Sequence, residues 1–360
     1  MTTPTDTLAL AEKWHATLSG RYNHSQVRTR DNITLGGGAD SLDGDHTFSR
    51  FNPAAGITYS PNRALNAYLG YTEGSRTPTA IELGCANPDN PCKLPNAMAG
   101  DPPLNQVVTR TWDAGLRGRV GADTRWNAGV FRAVNSDDIL FVADNQSGYG
   151  YFKNFGKTRR QGVELGASTR VGALDLSANY TWLDATYQSE EVLGGSGNST
   201  SDAASAGLDG NIRVRPGDRI PLIPRQILKV SADYRVNPAL AVGADLIGVS
   251  GSTARGNENG QHQADGTYYL DGGRSAGYSV INLNSTYQAS RGVQIFGQIG
   301  NLFDRRYTTA TQLGSTAFSS SGGVLARPFA SVGGEFPLVH STFYAPGAPR
   351  TLWVGLRYSL

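Results

Sequence analysis

A strict two-residue alternation of apolar and polar side chains constrains this chain more than any other feature. Residues 350–360 place Leu352, Val354, Leu356, Tyr358 and Leu360 on one side and Thr351, Trp353, Gly355, Arg357 and Ser359 on the other. Successive side chains of a strand point to opposite faces, so this segment reads as a strand with one apolar face. The same beat runs through Trp14, Ala16, Leu18, Gly20 and Tyr22, through Leu65, Ala67, Leu69 and Tyr71, and through Leu174, Leu176, Ala178, Tyr180 and Trp182. It returns in Leu228, Val230, Ala232 and Tyr234, then in Leu240, Val242, Ala244 and Leu246, and in the strands around Ile281 and Ile295. No comparable helical period accompanies it. Strands in such number need a closed sheet, because a free edge leaves backbone groups unpaired.

Composition decides which kind of sheet. Glycine supplies 45 of 360 residues and mean hydropathy is -0.35. No run approaches the roughly 18–20 apolar residues of a transmembrane helix. With 32 basic and 30 acidic residues the net charge is +2, which indicates neither a nucleic-acid surface nor a polyacidic partner. The opening MTTPTDTLALAEK has no basic segment followed by an apolar one, so no secretory signal is expected in this sequence.

Connections alternate between two kinds. Residues 60–63, 121–124, 171–173, 237–239 and 290–292 are tight turns rich in Pro, Gly, Asn and Asp. Between them lie long polar stretches at 30–47, 75–105, 143–150, 188–224, 250–276 and 305–349. Short turns on one rim and long loops on the other describe an outer-membrane β-barrel. The expected fold class is all-β, an antiparallel transmembrane barrel of about twelve strands. An even count would put both termini in the periplasm of a Gram-negative cell. A soluble antiparallel sandwich shows the same period, and period alone does not separate the two. Aromatic residues near strand ends, Tyr22, Tyr71, Trp182, Tyr234, Tyr287 and Tyr358, favour the membrane.

Five segments then resemble one family, the TonB-dependent outer-membrane receptors. The most specific is Asn301-Leu302-Phe303-Asp304-Arg305-Arg306-Tyr307, similar to an NLFD-[KR]-x-Y signature. Residues 219–236, 151–168, 70–83 and 101–118 resemble its other strand motifs in the expected order. Gln106 stands where the family pattern has Glu, and Leu360 where it has Phe. The resemblance implies a 22-stranded barrel around a plug domain. Here neither a plug-like segment nor a coupling box for TonB is legible, so 1–360 reads as the C-terminal portion of such a barrel. A closed twelve-strand variant remains open as the alternative.

What the resemblance implies for function is energy-dependent uptake of a scarce ligand, most often a ferric siderophore. Implied partners are that ligand, outer-membrane lipid and lipopolysaccharide, and the TonB complex only through the missing plug; no cofactor is expected. Without the plug this portion is not expected to transport alone. A passive twelve-strand pore or an adhesive barrel is the competing reading.

Local groups suggest sites. Cys85 and Cys92 lie in one loop with Pro88 and Pro91 between them, and no His stands near to complete a zinc shell, so a loop disulfide is expected and no metal. Arg213, Arg215 and Arg219 could clamp an anionic ferric chelate through bidentate bonds, or meet lipopolysaccharide phosphates or water. Tyr268 and Tyr269, with Tyr149, Tyr151, Phe152, Phe343 and Tyr344, could stack on a flat ligand or serve as interfacial residues. His46, His262 and His340 fall in loops and could ligate haem iron or stand exposed in water. No catalysis is expected: there is no G-x-S-x-G elbow, Gly36-Gly37-Gly38 precedes no helix, and Asp137-Asp138 reads as a solvent-facing pair at a strand end.

Overall fold

The structure, a computed structural model, describes residues 5–32, 43–86, 92–93, 104–143, 149–195, 197–326, 331 and 334–358, without the side chains of residues 92, 93, 143 and 149. The strands are β1 (Thr5–Ala11), β2 (Trp14–Thr29), β3 (Gly44–Asn62), β4 (Leu65–Arg76), β5 (Cys92–Lys93), β6 (Val107–Val120), β7 (Thr124–Ala143), β8 (Tyr149–Val171), β9 (Leu174–Tyr187), β10 (Glu191–Gly194) and β11 (Asn211–Val214). They continue with β12 (Gln226–Arg235), β13 (Leu240–Val249), β14 (Ser252–Thr253), β15 (Arg274–Ser275), β16 (Tyr278–Ser290), β17 (Val293–Gly300), β18 (Thr308–Thr316), β19 (Val339–Pro346) and β20 (Thr351–Tyr358). One short helix, α1 (Ala80–Leu83), lies among them.

Thirteen strands follow one another in a single sheet, β1-β2-β3-β4-β6-β7-β8-β9-β12-β13-β16-β17-β20, with β5 added beside β8. Every step along that path is antiparallel. The expected twelve are all present; the thirteenth is β1, whose Leu8 and Leu10 alternate in the stretch read only for a leader. This corrects the parity. Twelve antiparallel steps make β1 and β20 run in the same direction; Thr5 lies part-way up the wall opposite Ser19 of β2, and Tyr358 lies near the short-turn rim opposite Val293. Among the described residues no register joins β1 to β20.

The apolar face of the sheet is bare. Leu18, Leu165, Val354 and Leu356 are 56%, 46%, 69% and 65% exposed, and among the described residues no second sheet covers them. A soluble sandwich would bury this face at its centre, so the sandwich reading fails. Two aromatic rows bound the band. Near the short turns Trp14 stacks on Tyr59 at 4.4 Å, and near the long loops Tyr71 meets Trp112 at 4.8 Å. From Trp14 to Tyr22 is eight residues, about 26 Å of strand, close to the apolar band about 25 Å tall of an outer-membrane barrel. Strand β8 has 23 residues, about twice what a tilted membrane strand needs. Its upper half therefore rises beyond the band and supports the loops.

The buried cores lie at that upper end. Phe155, Tyr187, Ile212 and Val214 pack with Val142, Ala185, Leu193 and Ile220 where the β10–β11 hairpin folds against β7–β9. Leu83, Ala86, Leu104, Val107 and Ile139 form a second cluster around α1.

Candidate functional site at the long-loop rim

The long connections are not independent loops. Residues 188–225, 250–277 and 301–350, which contain the polar stretches read at 188–224, 250–276 and 305–349, interlock through their amides. Asn198 Nδ2 donates to the carbonyl of Gly256 at 2.8 Å, and its Oδ1 accepts from Thr200 N and Oγ1. Asn257 Oδ1 accepts from the backbone N–H of His262, and its Nδ2 donates to Gly273 O. Gly273 N donates to Thr342 Oγ1, and Ser341 Oγ donates to Asp271. Asn198, Asn257 and Thr342 are buried, and a buried amide is tolerable because its bonds are made. Short asparagine side chains thus do in this cap what apolar contacts do elsewhere.

Tyr269 and His340 sit at its centre. The β18–β19 hairpin carries His340, and the backbone of Tyr269 runs beside it in a parallel bridge. Tyr269 is 5% exposed; its hydroxyl accepts the N–H of Gly207, its ring stacks on His340 at 5.8 Å, and His262 meets it edge-on at 5.7 Å. Tyr269 is thus a pin between three loops, which corrects its reading as a stacking platform, since its ring faces are occupied. Tyr268 is half-buried against Gly207. His262 and His340 are buried, not exposed, which corrects their reading as loop residues in water. His262 is fixed as the neutral imidazole: its Nδ1 accepts from Ser199 N at 3.0 Å while Nε2 bonds Asp271 O at 2.8 Å. Burial holds both histidines below the usual imidazole pKa, with Asp265 and Asp271 opposing the shift at His262 and Asp209 opposing it at His340.

The three arginines go to different places. Arg213 pairs with Glu190 at 2.5 Å and Arg215 is exposed. Arg219 bridges to the top of β9 opposite Thr186 and donates to Ile223 O. Near α1, Thr79 and Glu82 form a capping box and Arg76 holds Glu82 at 2.7 Å; Arg76 and the capping contacts keep the Glu82 carboxyl below its usual range even as burial opposes them. Cys85 is buried and disulfide-bonded, while the side chain of Cys92 lies outside the described residues, as do Tyr149's side chain, Gly36-Gly37-Gly38 and Leu360. The acidic pair is corrected too. Asp138 is buried, accepting from Thr158 Oγ1 and meeting Arg160 at 3.3 Å, and Asp137 takes a left-handed φ of 54° within β7.

The signature at 301–307 proves to be a structural lock. Asn301, at φ 48°, accepts from Arg305 N and donates to Arg305 O and Ala348 O, while Asp304 accepts from Arg350 N. These bonds tie the end of β17 to the start of β20. The polar face of the sheet carries charges as well. Arg170, Asp175 and Arg235 form a chain with contacts of 2.5 and 3.4 Å, and a cleft of about 1160 Å³ near the short turns is lined by Lys13, Arg63, Arg117, Arg119 and Arg125 among polar residues.

A long antiparallel sheet, apolar outside and polar inside, with tight turns on one rim and packed loops on the other, is the wall of a transmembrane β-barrel. Its residues 5–302 match the family model described as TonB dependent receptor-like, beta-barrel. The chain belongs to the TonB-dependent receptor family, as the five segments implied. It is 23% identical over 334 residues to a probable TonB-dependent siderophore receptor, PiuA, of Acinetobacter baumannii, covering 90% of this chain and 39% of that protein. It is 24% identical over 315 residues to a probable TonB-dependent receptor, BfrD, of Bordetella pertussis, covering 85% and 37%. Among solved structures the A. baumannii siderophore receptor PiuA superposes with a TM-score of 0.65 at 16% identity, covering 99% of this chain and 42% of that one. The copper transporter OprC superposes equally, at 0.65 and 18% identity, covering 99% and 47%. The chain thus spans about two fifths of the curated relatives it matches.

Proposed function

We propose that this chain forms the C-terminal barrel portion of an outer-membrane receptor that takes up a scarce ligand, a ferric siderophore, through coupling to TonB. The observation that carries the reading is the pairing of a bare apolar sheet face with three outer loops locked into one cap. A membrane wall needs the first, and a ligand vestibule above it needs the second. The name of one relative, PiuA, as a siderophore receptor supports the ligand class, and the similarity to a copper transporter shows that the barrel alone does not set the cargo. On this reading the plug and its TonB contact belong to sequence outside residues 1–360, and the chain does not transport alone.

The parity of the sheet argues against the passive pore. Because β1 and β20 run in the same direction, direct closure would need one parallel junction in an otherwise antiparallel wall. A partner segment with an odd number of strands avoids it.

The intact mass of the native protein, taken from outer membranes of iron-limited cells and identified by the peptide around residues 301–307, tests the reading. A mass about twice 38.3 kDa in a protein that binds a ferric siderophore is expected. A 38.3 kDa species that conducts steadily in a planar bilayer without a partner would overturn it.

A further inference from the structure

The wall divides at one place. Strands β3 and β4 pair from Asn62 opposite Leu65 up to Ala54 opposite Thr72, and there the ladder stops. Both strands continue: β3 stays paired with β2 as far as Gly44, and β4 with β6 as far as Arg76. Pro53, which has no N–H to donate, stands directly above the last pair. Side chains bridge the gap instead. Asn52 and Asn23 both donate to Ser75 Oγ, at 3.0 and 3.3 Å, and Arg50 meets Glu73 at 2.7 Å.

A cavity of about 380 Å³ opens beside these bridges, in the range of about 300–1,000 Å³ that small ligands occupy. Asn23, Ser25 and Phe48 reach it from the face of β2 and β3 opposite to Leu18 and Tyr22, which is the face of the barrel interior. Its hydrogen-bonding groups are left open. Among the described residues the hydroxyls of Ser25 and Thr77 bond no other group. Ser75 Oγ already accepts twice, which leaves its single proton for an acceptor. Gln106 donates its Nε2 to Ser49 O at 3.2 Å and keeps its Oε1 unused. Behind them Asn52, 6% exposed, holds an Oδ1 that meets no donor. The rings of Tyr22, His24 and Phe48 flank these groups. No carboxylate lines the cavity, and its two arginines are engaged: Arg76 by both oxygens of Glu82, and Arg21 by Asn23 Oδ1 at 2.7 Å.

We propose that this cavity holds a neutral sugar ring that enters from the barrel interior. Each hydroxyl of a pyranose both donates and accepts, so one ring answers the hydroxyls of Ser25 and Thr77, the Ser75 proton and the Gln106 oxygen together. Its C–H faces are apolar surface for the flanking aromatic rings. An anion is disfavoured, because it would compete with Glu82 for Arg76. The inference rests on the interior face of the wall and not on the cargo proposed above, which the mass measurement judges separately.

The test uses the full chain in a phosphocholine detergent, which carries no sugar, with methyl α-D-glucopyranoside as probe and saturation-transfer difference NMR as readout. Transfer to the ring protons is expected, and it should persist when inorganic phosphate is added at equal concentration. Removing both unused hydroxyls, by Ser25→Ala with Thr77→Val, should weaken binding by about tenfold or more, whereas Ser290→Ala at the opposite rim should leave it unchanged. Absence of transfer from the unsubstituted chain overturns the proposal, and this arm needs no variant to fold. Loss of transfer on adding phosphate overturns it in favour of an anion seat. Displacement of the glucoside by lipopolysaccharide overturns entry from the interior, and undiminished binding by the double variant overturns the assignment to this cavity.

Discussion

The side-chain amide of Asn301 donates to the carbonyl of Ala348, 47 residues further along the chain, at 3.0 Å. With its two bonds to Arg305 it fixes how the longest terminal connection leaves β17 and returns as β20. Asn301→Ala removes these bonds from a residue only 4% exposed and forces alanine to φ 48°. A loss of about 2–4 kcal/mol is expected from urea unfolding in phosphocholine micelles. Asn301→Gly loses the same bonds but tolerates the backbone, and should be about 1 kcal/mol milder. Identical losses for the two would remove the backbone from the explanation.

Leu165 stands between Ala128 and Tyr180 on the bare apolar face. In a lipid bilayer Leu165→Arg near mid-band should cost about 2–4 kcal/mol. Ser177→Arg, on the polar face, should cost under about 0.5 kcal/mol. Urea midpoints in phosphatidylcholine bilayers compare them. Equal costs would mean that the two faces do not meet different solvents.

Cys85 is buried in the segment after α1, and we expect its partner to be Cys92. Intact mass after alkylation without reductant should show no labelled thiol, and two after reduction. Reduction, or Cys92→Ser, should destabilise the 79–106 region by about 2–3 kcal/mol on the chain-entropy account, seen as faster proteolysis there. A thiol that labels without reductant would refute the pairing.

The sheet was legible because its signal is local: Leu18, Leu69 and Leu228 announce their face within a few residues, and Pro, Gly and Asn mark the turns between them. Strand β1 escaped because Thr5–Ala11 offers only two large apolar residues and sits at an edge, where half its hydrogen bonds are missing. The cap escaped for a different reason. Asn198, Asn257 and His262 form a core from groups that, read along the chain, suggest solvated loop, and only their meeting across about 60 residues turns them inward. Residue type alone makes Tyr269 and Arg219 look like ligand contacts. The first is consumed by His262 and His340, and the second is drawn to the top of β9 opposite Thr186. The 301–307 motif was recognised as a signature, but its hydrogen bonds give it a structural task.

The same histidines make the cap sensitive to acid. His262 accepts the N–H of Ser199 through Nδ1, so adding a proton there breaks the bond that joins 188–225 to 250–277. His340 is 1% exposed, and neither ring nitrogen has a partner to share a charge. The groups facing this pair are Asp265 and Asp271 from 250–277 at His262, and Asp209 from 188–225 with His262 itself at His340. The carboxylates favour protonation, yet burial outweighs them and both folded pKa values lie below 6.5. As pH falls below 6.5 the opened cap binds protons that the closed cap refuses, so closure is fully stable above 6.5 and is lost as pH drops through the folded values. Amide exchange of residues 197–200 and 256–273, corrected for its intrinsic rate, should therefore quicken between pH 7.5 and 5, by at most about tenfold per pH unit per histidine. His340→Phe should flatten that dependence while keeping the stack on Tyr269, and His262→Gln should raise exchange at every pH by removing the Ser199 acceptor. Exchange that stays level with pH in the unsubstituted chain would show that neither histidine governs the cap.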